Sequence, residues 1–405
     1  MKRFAALLLL AAMLTASLAA CGSTSAPTAD TTAPASSDAV TEPAETELTR
    51  ANTPDTVPEG LDFKGATLHA LIRDSSDNNT IFQQEFYAPE VTGDVLNDAV
   101  YARNLYATQR LNVRFEQTLT PGAWGNRNDF MGIVSSSAMA GDGSIDFVPW
   151  YAFCQPSLAA KQVYIDLLGK DVKYLDFDQP WWYQNVIRNA TVNGKLYLCS
   201  GEYGLTSIAM MASIAFNIDL RDDYLPGTDF YAMVREGKWT FDAMLSNAKK
   251  VYKDVNGNGV GDLGDIFGFN GGRADQFIHG AQVPISVETN GVRKLALNNE
   301  RMIKLVDTFQ AYYSDPSYIG KSGAKFEEGS ILFSNTYIRD VAKLREMEDD
   351  YGVLPIPKLD EAQDGYFTTL GDSYSILGIM ASRRDLRIRR GHDGRILPQC
   401  HRDVL

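Results

Sequence analysis

Short apolar runs alternate with amphipathic segments early in the chain, and this alternation constrains the fold more than any other feature of the sequence. The runs at 67–72, 113–116 and 145–150 have the length and residue types of buried strands. A helical pattern at 94–110, which Asp94 would cap, separates the first two. This strand–helix–strand order predicts an α/β fold with a mainly parallel sheet that is covered on both faces.

The carboxyl ends of the predicted strands carry polar and aromatic side chains. Asp74 and Ser75 follow the first strand, and Trp150 and Tyr151 close the third. Ligands of parallel sheets bind at the carboxyl ends of the strands. We therefore expect these four residues to share one rim of the sheet.

The length of the chain indicates more than one lobe. The part that can form a core starts near residue 61 and takes up most of the 405 residues. A single hydrophobic core seldom grows to that size, so two lobes are expected.

The N-terminus has the pattern of a secretory signal peptide over residues 1–20. Lys2 and Arg3 precede an apolar run at 4–14 that is too short to span a membrane. Cys21 then follows Leu-Ala-Ala, which resembles the bacterial lipobox, where the cysteine is lipidated and becomes the first mature residue. The alternative is an ordinary signal peptide followed by an incidental cysteine. We expect a protein anchored by lipid on the extracellular face of the cell membrane.

Residues 21–60 are rich in Ser, Thr, Ala and Pro and contain few large apolar side chains. Such a segment buries too little surface to offset the entropy of ordering it. We interpret it as a flexible spacer between the membrane anchor and the folded body.

The charge of the chain excludes one class of partner. The formal net charge is −13, and loss of the signal peptide with Lys2 and Arg3 takes it to −15. A chain this acidic is a poor binder of nucleic acid, and it disfavours anionic ligands unless a local basic cluster overrides the field. Cys154 and Cys199 leave a disulfide open as an alternative to free thiols.

Several motifs, in a fixed order, are similar to those of carbohydrate-type (family 1) extracellular solute-binding proteins of bacterial ABC importers. The resemblance covers about residues 61–381. The motifs that carry it lie at 93–104, 145–148, 179–182, 193–197, 326–333 and 351–355.

This resemblance implies a two-lobed, periplasmic-binding-protein-like fold with a hinge and a ligand in the cleft between the lobes. Lobe one would comprise 61–208 and 331–381, and lobe two would comprise 209–330. Crossings near 205–212 and 327–332 would form the hinge. The family further implies a monomer without enzymatic activity that delivers a sugar or oligosaccharide to ABC permease subunits.

Aromatic side chains support a sugar ligand, because a pyranose has one apolar face and a rim of hydroxyls. By their place in the order of motifs along the chain, Trp150 and Tyr337 resemble sugar-stacking residues of the family, and Glu202 resembles a ligand-binding acid. The alternative is that these aromatics are structural, as we expect for Trp239 at a helix start. The predicted ligand-binding residues are Asp74, Ser75, Trp150, Tyr151, Trp182, Glu202, Tyr203 and Tyr337.

A separate motif at 254–265 has the spacing of an EF-hand calcium loop, with glycine at the sixth position. Asp265 stands at position twelve, where glutamate is usual. A Gly/Asn turn is the alternative. The predicted ligands of a structural Ca²⁺ ion are Asp254, Asn256, Asn258, the Val260 carbonyl, Asp262 and Asp265.

Two other functions stay open. One is a secreted carbohydrate-active enzyme that would use a pair of carboxylates such as Asp146 and Glu202. Against it, the chain has only four histidines and no metalloprotease, serine-hydrolase or phosphate-loop motif. The other is a sensor lipoprotein that binds the same ligand and docks on a membrane receptor.

The composition changes abruptly at 382–405, which holds seven Arg and three Asp but no Lys. The family resemblance stops at the same point. We interpret this atypical tail as the product of a shifted reading frame, with a genuine basic tail as the alternative.

Overall fold

The computed structural model describes residues 53–170, 172–290, 292–320 and 322–381. From Pro54 onwards they belong to one compact unit. The predicted signal peptide, Cys21, most of the predicted spacer and the tail at 382–405 lie outside the described residues. The last part of the spacer is held against the body: Asp55 pairs with Arg110 (Oδ2 to Nη1, 2.6 Å), and the Thr56 hydroxyl donates to the Tyr174 carbonyl. The predicted spacer is therefore too long at its C-terminal end.

The first sheet has four strands in the order β10-β3-β1-β2. Its strands are β1 (Ala66–Arg73), β2 (Val113–Thr120), β3 (Phe147–Tyr151) and β10 (Ser375–Ile379). The strand β1 is parallel to β2 along its whole length and parallel to β3, whereas β10 joins antiparallel. The predicted parallel pairing is confirmed, and it brings the carboxyl ends of β1, β2 and β3 to one edge.

Both faces of this sheet are covered by apolar side chains, as predicted. Leu68, Ala70 and Ile72 belong to one core cluster, while Leu71 belongs to another. Successive residues of a strand point to opposite faces, so the two clusters lie on opposite sides of β1.

The helices of the described residues have the following bounds: α1 (Thr80–Gln84), α2 (Val95–Leu111), α3 (Arg127–Ala140), α4 (Gln155–Ala160), α5 (Gln184–Ala190), α6 (Leu205–Ala209), α7 (Ile218–Tyr224), α8 (Phe230–Arg235), α9 (Phe241–Val251), α10 (Ala274–Gly280), α11 (Glu300–Tyr313) and α12 (Ile338–Val341). Short 3₁₀ turns lie at Trp124–Asn126, Phe326–Glu328 and Ala342–Glu346. The predicted cap of α2 is confirmed, since the Asp94 carboxylate accepts the Asn97 N–H at 2.8 Å. None of the helices in the described part of the chain is long and apolar enough to cross a membrane.

The second sheet has the order β5-β8-β4-β9. Its strands are β4 (Ala212–Asn217), β5 (Phe267–Phe269), β8 (Ile331–Tyr337) and β9 (Tyr351–Leu354). The strands β5 and β8 are parallel, and β4 is antiparallel to both β8 and β9. A separate exposed hairpin consists of β6 (Ser286–Thr289) and β7 (Val292–Leu295). The predicted α/β class is confirmed by these two sheets and the helices between them.

Two separate groups of core residues divide the body into two lobes. The cores around the first sheet contain only residues before 211 and after 375, and those around the second sheet contain only residues from 212 to 359. We call these parts lobe one and lobe two. Trp239 is fully buried in lobe two just before α9, as predicted.

The predicted boundary between the lobes is wrong for 331–381. Both β8 and β9 fall in that range, and both pair with β4 of lobe two rather than with the first sheet. The physical reason is that β8 is the central partner of β4 and β5, so the second sheet cannot form without it.

The chain consequently passes between the lobes at two places that pair with each other. The first crossing lies between α6 and β4, close to the predicted position, and the second lies between β9 and β10 rather than at 327–332. Gly371 N–H donates to the Met210 carbonyl at 2.8 Å, and Ala212 N–H donates to the Thr369 carbonyl at 3.0 Å. Two short antiparallel segments therefore connect the lobes.

The disulfide left open by the sequence is not formed. Cys154 and Cys199 are buried free thiols in lobe one. Burial raises the pKa of Cys199 to about 12, so this thiol stays neutral.

Candidate functional site

A pocket of about 470 Å³ opens at the carboxyl ends of β5 and β8 in lobe two. Asn270 follows β5 directly, and Ser334, Asn335 and Tyr337 form the end of β8. This is the edge at which α/β sheets bind ligands, and the volume lies in the range of small-molecule sites.

Two polar atoms of the residues that line this pocket have no hydrogen-bond partner among the described residues. They are Oε1 of Gln276, whose side chain is 1% exposed, and the hydroxyl of Tyr337. An unpaired buried polar atom costs roughly 1–3 kcal/mol. Both residues line the pocket, so these atoms are the candidates for contacts with a ligand that supplies hydroxyl or amide groups.

The amide side chains of the pocket are held in place by the second sheet. The Asn270 amide donates to the Ser334 hydroxyl at 2.8 Å and its oxygen accepts the Asn335 N–H at 3.3 Å. The Asn335 amide donates in turn to the Ser213 carbonyl at 3.4 Å. These bonds fix the direction of the remaining donors and acceptors.

Charged side chains on the wall of the pocket are of both signs. Asp340 pairs with Arg339 at 3.5 Å and with Lys343 at 2.7 Å. Arg273 pairs with Asp275 at 3.0 Å, and this hydrogen bond raises the pKa of Arg273. Most of the local charge is therefore compensated within the protein, which suits a neutral polar ligand.

Tyr337 links the pocket to both lobes. Its ring packs against the core of lobe two and against the Trp150 cluster of lobe one. The Arg339 guanidinium lies 5.8 Å from the ring centroid. Tyr337 is the only predicted ligand-binding residue, among the described residues, that lines this pocket.

The prediction that Trp150 is a stacking platform is wrong. Its side chain is 2% exposed, its ring stacks on Phe130 at 4.4 Å, and its Nε1 donates to the Gly122 carbonyl at 2.9 Å. Tyr151 is also buried and packs edge-on against Phe82 at 5.6 Å. Both aromatics belong to the core because α3 and the loop before it cover this face of the sheet.

The remaining rim residues of lobe one are tied into local structure. Asp74 accepts a hydrogen bond from the Ser76 hydroxyl at 2.7 Å, and the Ser75 N–H donates to Gln83 at 2.9 Å. The buried Arg73 guanidinium next to them lies 4.2 Å from the Phe82 ring and pairs with Asp77 through Nη2, while its Nε and Nη1 have no partner among the described residues.

Trp182, Glu202 and Tyr203 lie on the far side of the first sheet. Trp182 and Tyr203 pack against the core face opposite to that of Tyr337. The Tyr203 hydroxyl donates to the Cys199 carbonyl at 2.9 Å, and burial raises its pKa well above the usual value. Glu202 is exposed beside them. The structure therefore does not bring these three residues together with Tyr337.

The pocket residues missed by sequence reasoning include Asn270, Arg273 and Gln276. The position of Asn270 directly after β5 is the signal that could have found it. Nothing local distinguishes Gln276 from other helical glutamines.

The predicted calcium loop folds around its carboxylates. Asp254 Oδ1 accepts the Gly257 N–H at 2.7 Å, and Asp262 accepts the side-chain amides of Asn256 at 3.0 Å and Asn258 at 2.6 Å. Calcium takes oxygen ligands, so both asparagines would have to exchange the positions of their amide nitrogen and oxygen to ligate an ion.

Asp265 is completely buried beneath this loop and accepts the N–H groups of Val255 at 2.9 Å and Asp262 at 3.0 Å. In the described part of the chain no three His, Cys, Asp or Glu side chains are grouped as metal ligands. Calcium binding here stays a prediction that depends on the asparagine oxygens and the Val260 carbonyl.

The chain was compared with known families, curated proteins and solved structures. No family model and no curated protein match this chain. Among solved structures, a cyclo/maltodextrin-binding protein complexed with maltotetraose is similar, with 14% identity, a TM-score of 0.49, and coverage of 79% of this chain and 71% of that one.

Two further structures are similar at the same level. One is an ABC substrate-binding protein from Listeria monocytogenes in complex with cycloalternan (14% identity, TM-score 0.45, coverage 78% of this chain and 71% of that one). The other is the galacto-N-biose/lacto-N-biose I-binding protein from Bifidobacterium longum in complex with lacto-N-biose (12% identity, TM-score 0.48, coverage 80% and 73%).

Proposed function

We propose that this protein is the lipid-anchored solute-binding component of an ABC importer and that it captures a carbohydrate in the pocket at the end of the second sheet. The observation that carries the proposal is the pair of unpartnered polar atoms, Gln276 Oε1 and the Tyr337 hydroxyl, beside an aromatic ring. A sugar offers hydroxyls to the polar atoms and an apolar face to the Tyr337 ring.

The other parts of the proposal follow from the sequence and from the connections between the lobes. Cys21 would carry the lipid, and the segment after it would hold the body away from the membrane. The two paired crossings would act as a hinge on which the lobes close over the ligand. Permease subunits would then receive the sugar from the closed form.

A binding role is favoured over catalysis by the position of the carboxylates. Asp146 lies at the start of β3, where it accepts the His69 N–H at 2.8 Å, and Glu202 lies beyond the far core face. These two acids therefore do not flank a common pocket. Asp340 and Glu327 do line the pocket, and Asp340 is engaged by Arg339 and Lys343.

The proposal is tested with a panel of saccharides and two variants, each of which removes one of the unpartnered atoms. Tyr337→Phe and Gln276→Leu lose no hydrogen bond of the free protein, so neither should lower the melting temperature. A saccharide that binds the folded state should raise the melting temperature of the unmodified protein. Each variant should bind that saccharide about tenfold more weakly by calorimetry.

Tyr106→Ala serves as the control, because Tyr106 is 64% exposed on α2 and lies outside the pocket. This variant should bind as the unmodified protein does. A panel without a single binder, or full affinity in both pocket variants, would reject the proposed site.

A further inference from the structure

Gly371 lies in the second crossing, and two side chains rest directly on its backbone. Its φ is outside the left-handed region, so its backbone conformation is open to any residue. A Cβ at this position would overlap Cε of Met210 and would lie 3.0 and 3.1 Å from Cε1 and Cζ of Tyr337. The space that the glycine leaves, rather than its conformational freedom, is therefore what the structure uses here.

The two neighbours of Gly371 would respond differently to an added side chain. The Cε of Met210 is the end of a flexible side chain and can swing away at little cost. The Tyr337 atoms belong to a rigid ring, at the edge that bears the hydroxyl, and the ring would have to give by a few tenths of an ångström. Gly371 therefore sets the position of the hydroxyl end of Tyr337.

The backbone of Tyr337 is attached to the first crossing. Tyr337 pairs with Ala212 in the β4–β8 register, and the N–H of the next residue donates to the Met211 carbonyl at 3.0 Å. The second crossing runs alongside, with the Gly371 N–H donating to the Met210 carbonyl. Tyr337 is thus held at its backbone by one crossing and at its ring by the other, so a movement of the crossings relative to each other would move its hydroxyl.

We propose that Gly371 is a positioning residue of the pocket, through which the arrangement of the two crossings determines where the Tyr337 hydroxyl meets the ligand. The inference rests on the proposed function and adds a way in which the arrangement of the lobes regulates the affinity of the same site. Gly371 is not among the residues that line the pocket, so it acts through Tyr337 and not on the ligand. Ligand binding would favour the arrangement of the crossings that brings the hydroxyl to the ligand.

The test is a double-mutant cycle with a saccharide that the panel identifies as a ligand. Gly371→Ala should weaken its binding about fivefold by calorimetry, because the displaced hydroxyl loses part of its hydrogen bond. Tyr337→Phe has no hydroxyl to displace, so in this background the same substitution should change the affinity by less than about twofold. Gly132→Ala on α3 is the matched control, since an added Cβ there has no atom within 4 Å, and it should bind as the unmodified protein does.

A second cycle needs no ligand and tests the contact itself. Gly371→Ala should lower the melting temperature, because the Tyr337 ring has to shift. The side chain introduced by Tyr337→Leu ends before the ring atoms that an added Cβ would meet. In that background Gly371→Ala should leave the melting temperature unchanged. If Gly371→Ala alone does not fold, the double variant with Tyr337→Leu should fold.

The outcomes separate this inference from the proposed function. Full affinity in Gly371→Ala, or an equal loss in the unmodified protein and in Tyr337→Phe, overturns the positioning role and leaves the proposed function standing. An equal fall of the melting temperature with Tyr337→Leu, or a double variant that does not fold, overturns the contact on which the inference depends. Absence of any binding to the unmodified protein overturns the proposed function and the inference with it.

Discussion

At the scale of single residues, Glu85 is a fully buried carboxylate that ties lobe one to the first crossing. Its Oε1 accepts the N–H of Thr206 at 3.0 Å and the hydroxyl of Thr206 at 2.8 Å. The Thr206 hydroxyl also accepts the Ser375 N–H at 2.8 Å. Glu85 thus joins α6 to the strand β10 through one threonine.

Burial raises the pKa of Glu85, although the hydrogen bonds of Ser375 and Thr206 and the charge of Arg103 oppose the shift. The folded state therefore holds the proton more tightly than the unfolded state. The stability that protonated Glu85 contributes is fully present below its pKa in the unfolded state, about 4.3. It is lost as the pH rises through the raised pKa of the folded state.

Glu85→Gln should remove this pH dependence while keeping an acceptor for Thr206. We expect the unmodified protein to lose free energy of unfolding relative to the variant as the pH increases from about 4 to 8. Urea titrations at several pH values would measure it. The exposed Glu90, changed to Gln, should leave the pH curve unaltered, and a Glu85→Gln curve parallel to the unmodified one would contradict the role given to burial.

At the scale of elements, the loop at 254–265 joins α9 to β5, and its aspartates accept hydrogen bonds from within the loop. Two backbone N–H groups satisfy Asp265, but the Asp262 carboxylate relies on the two asparagine amides. A divalent cation that binds only the folded loop, through the oxygens named above, would stabilise the folded state.

We therefore predict that a chelator lowers the melting temperature of the protein and that added calcium restores it. Asp254→Ala should melt at the same temperature with and without chelator, because position one of the loop has lost its ligand. Asp223→Ala, an exposed aspartate on α7, should keep the full response. Identical melting curves of the unmodified protein in calcium and in chelator would show that the loop is only a turn.

At the scale of the whole molecule, the two lobes have separate cores and are connected by two short paired segments. Tyr337 packs against both lobes beside these segments. Two crossings of this kind permit rotation about one axis while they restrain the other directions. Binding of a ligand that contacts both lobes would favour the closed arrangement.

The expected result is a smaller radius of gyration by solution X-ray scattering when a saturating saccharide from the panel is added. Gln276→Leu should show no change at a concentration that saturates only the unmodified protein, since it lacks the polar contact that holds the ligand. Equal scattering with and without the saccharide, despite binding by calorimetry, would mean that the lobes do not close.

Features set by neighbours along the chain were predictable from the sequence. The strand predicted at 67–72 is β1 (Ala66–Arg73), the one predicted at 113–116 starts β2, and Asp94 caps α2 as expected. Periodic burial and helix capping depend on residues a few positions apart, and the parallel sheet follows from the order of these elements.

The tertiary structure alone decided which sheet each strand joins and which aromatics are exposed. The strand β8 could have paired in either lobe by its composition, and its pairing with β4 and β5 was settled by segments far away in the chain. Trp150 lies near the end of β3 and Trp124 shortly after β2, yet Phe130 and Gly122 cover the first while the second stays 52% exposed. Burial is a property of what packs against a side chain, and for these residues the packing partners come from elsewhere in the fold.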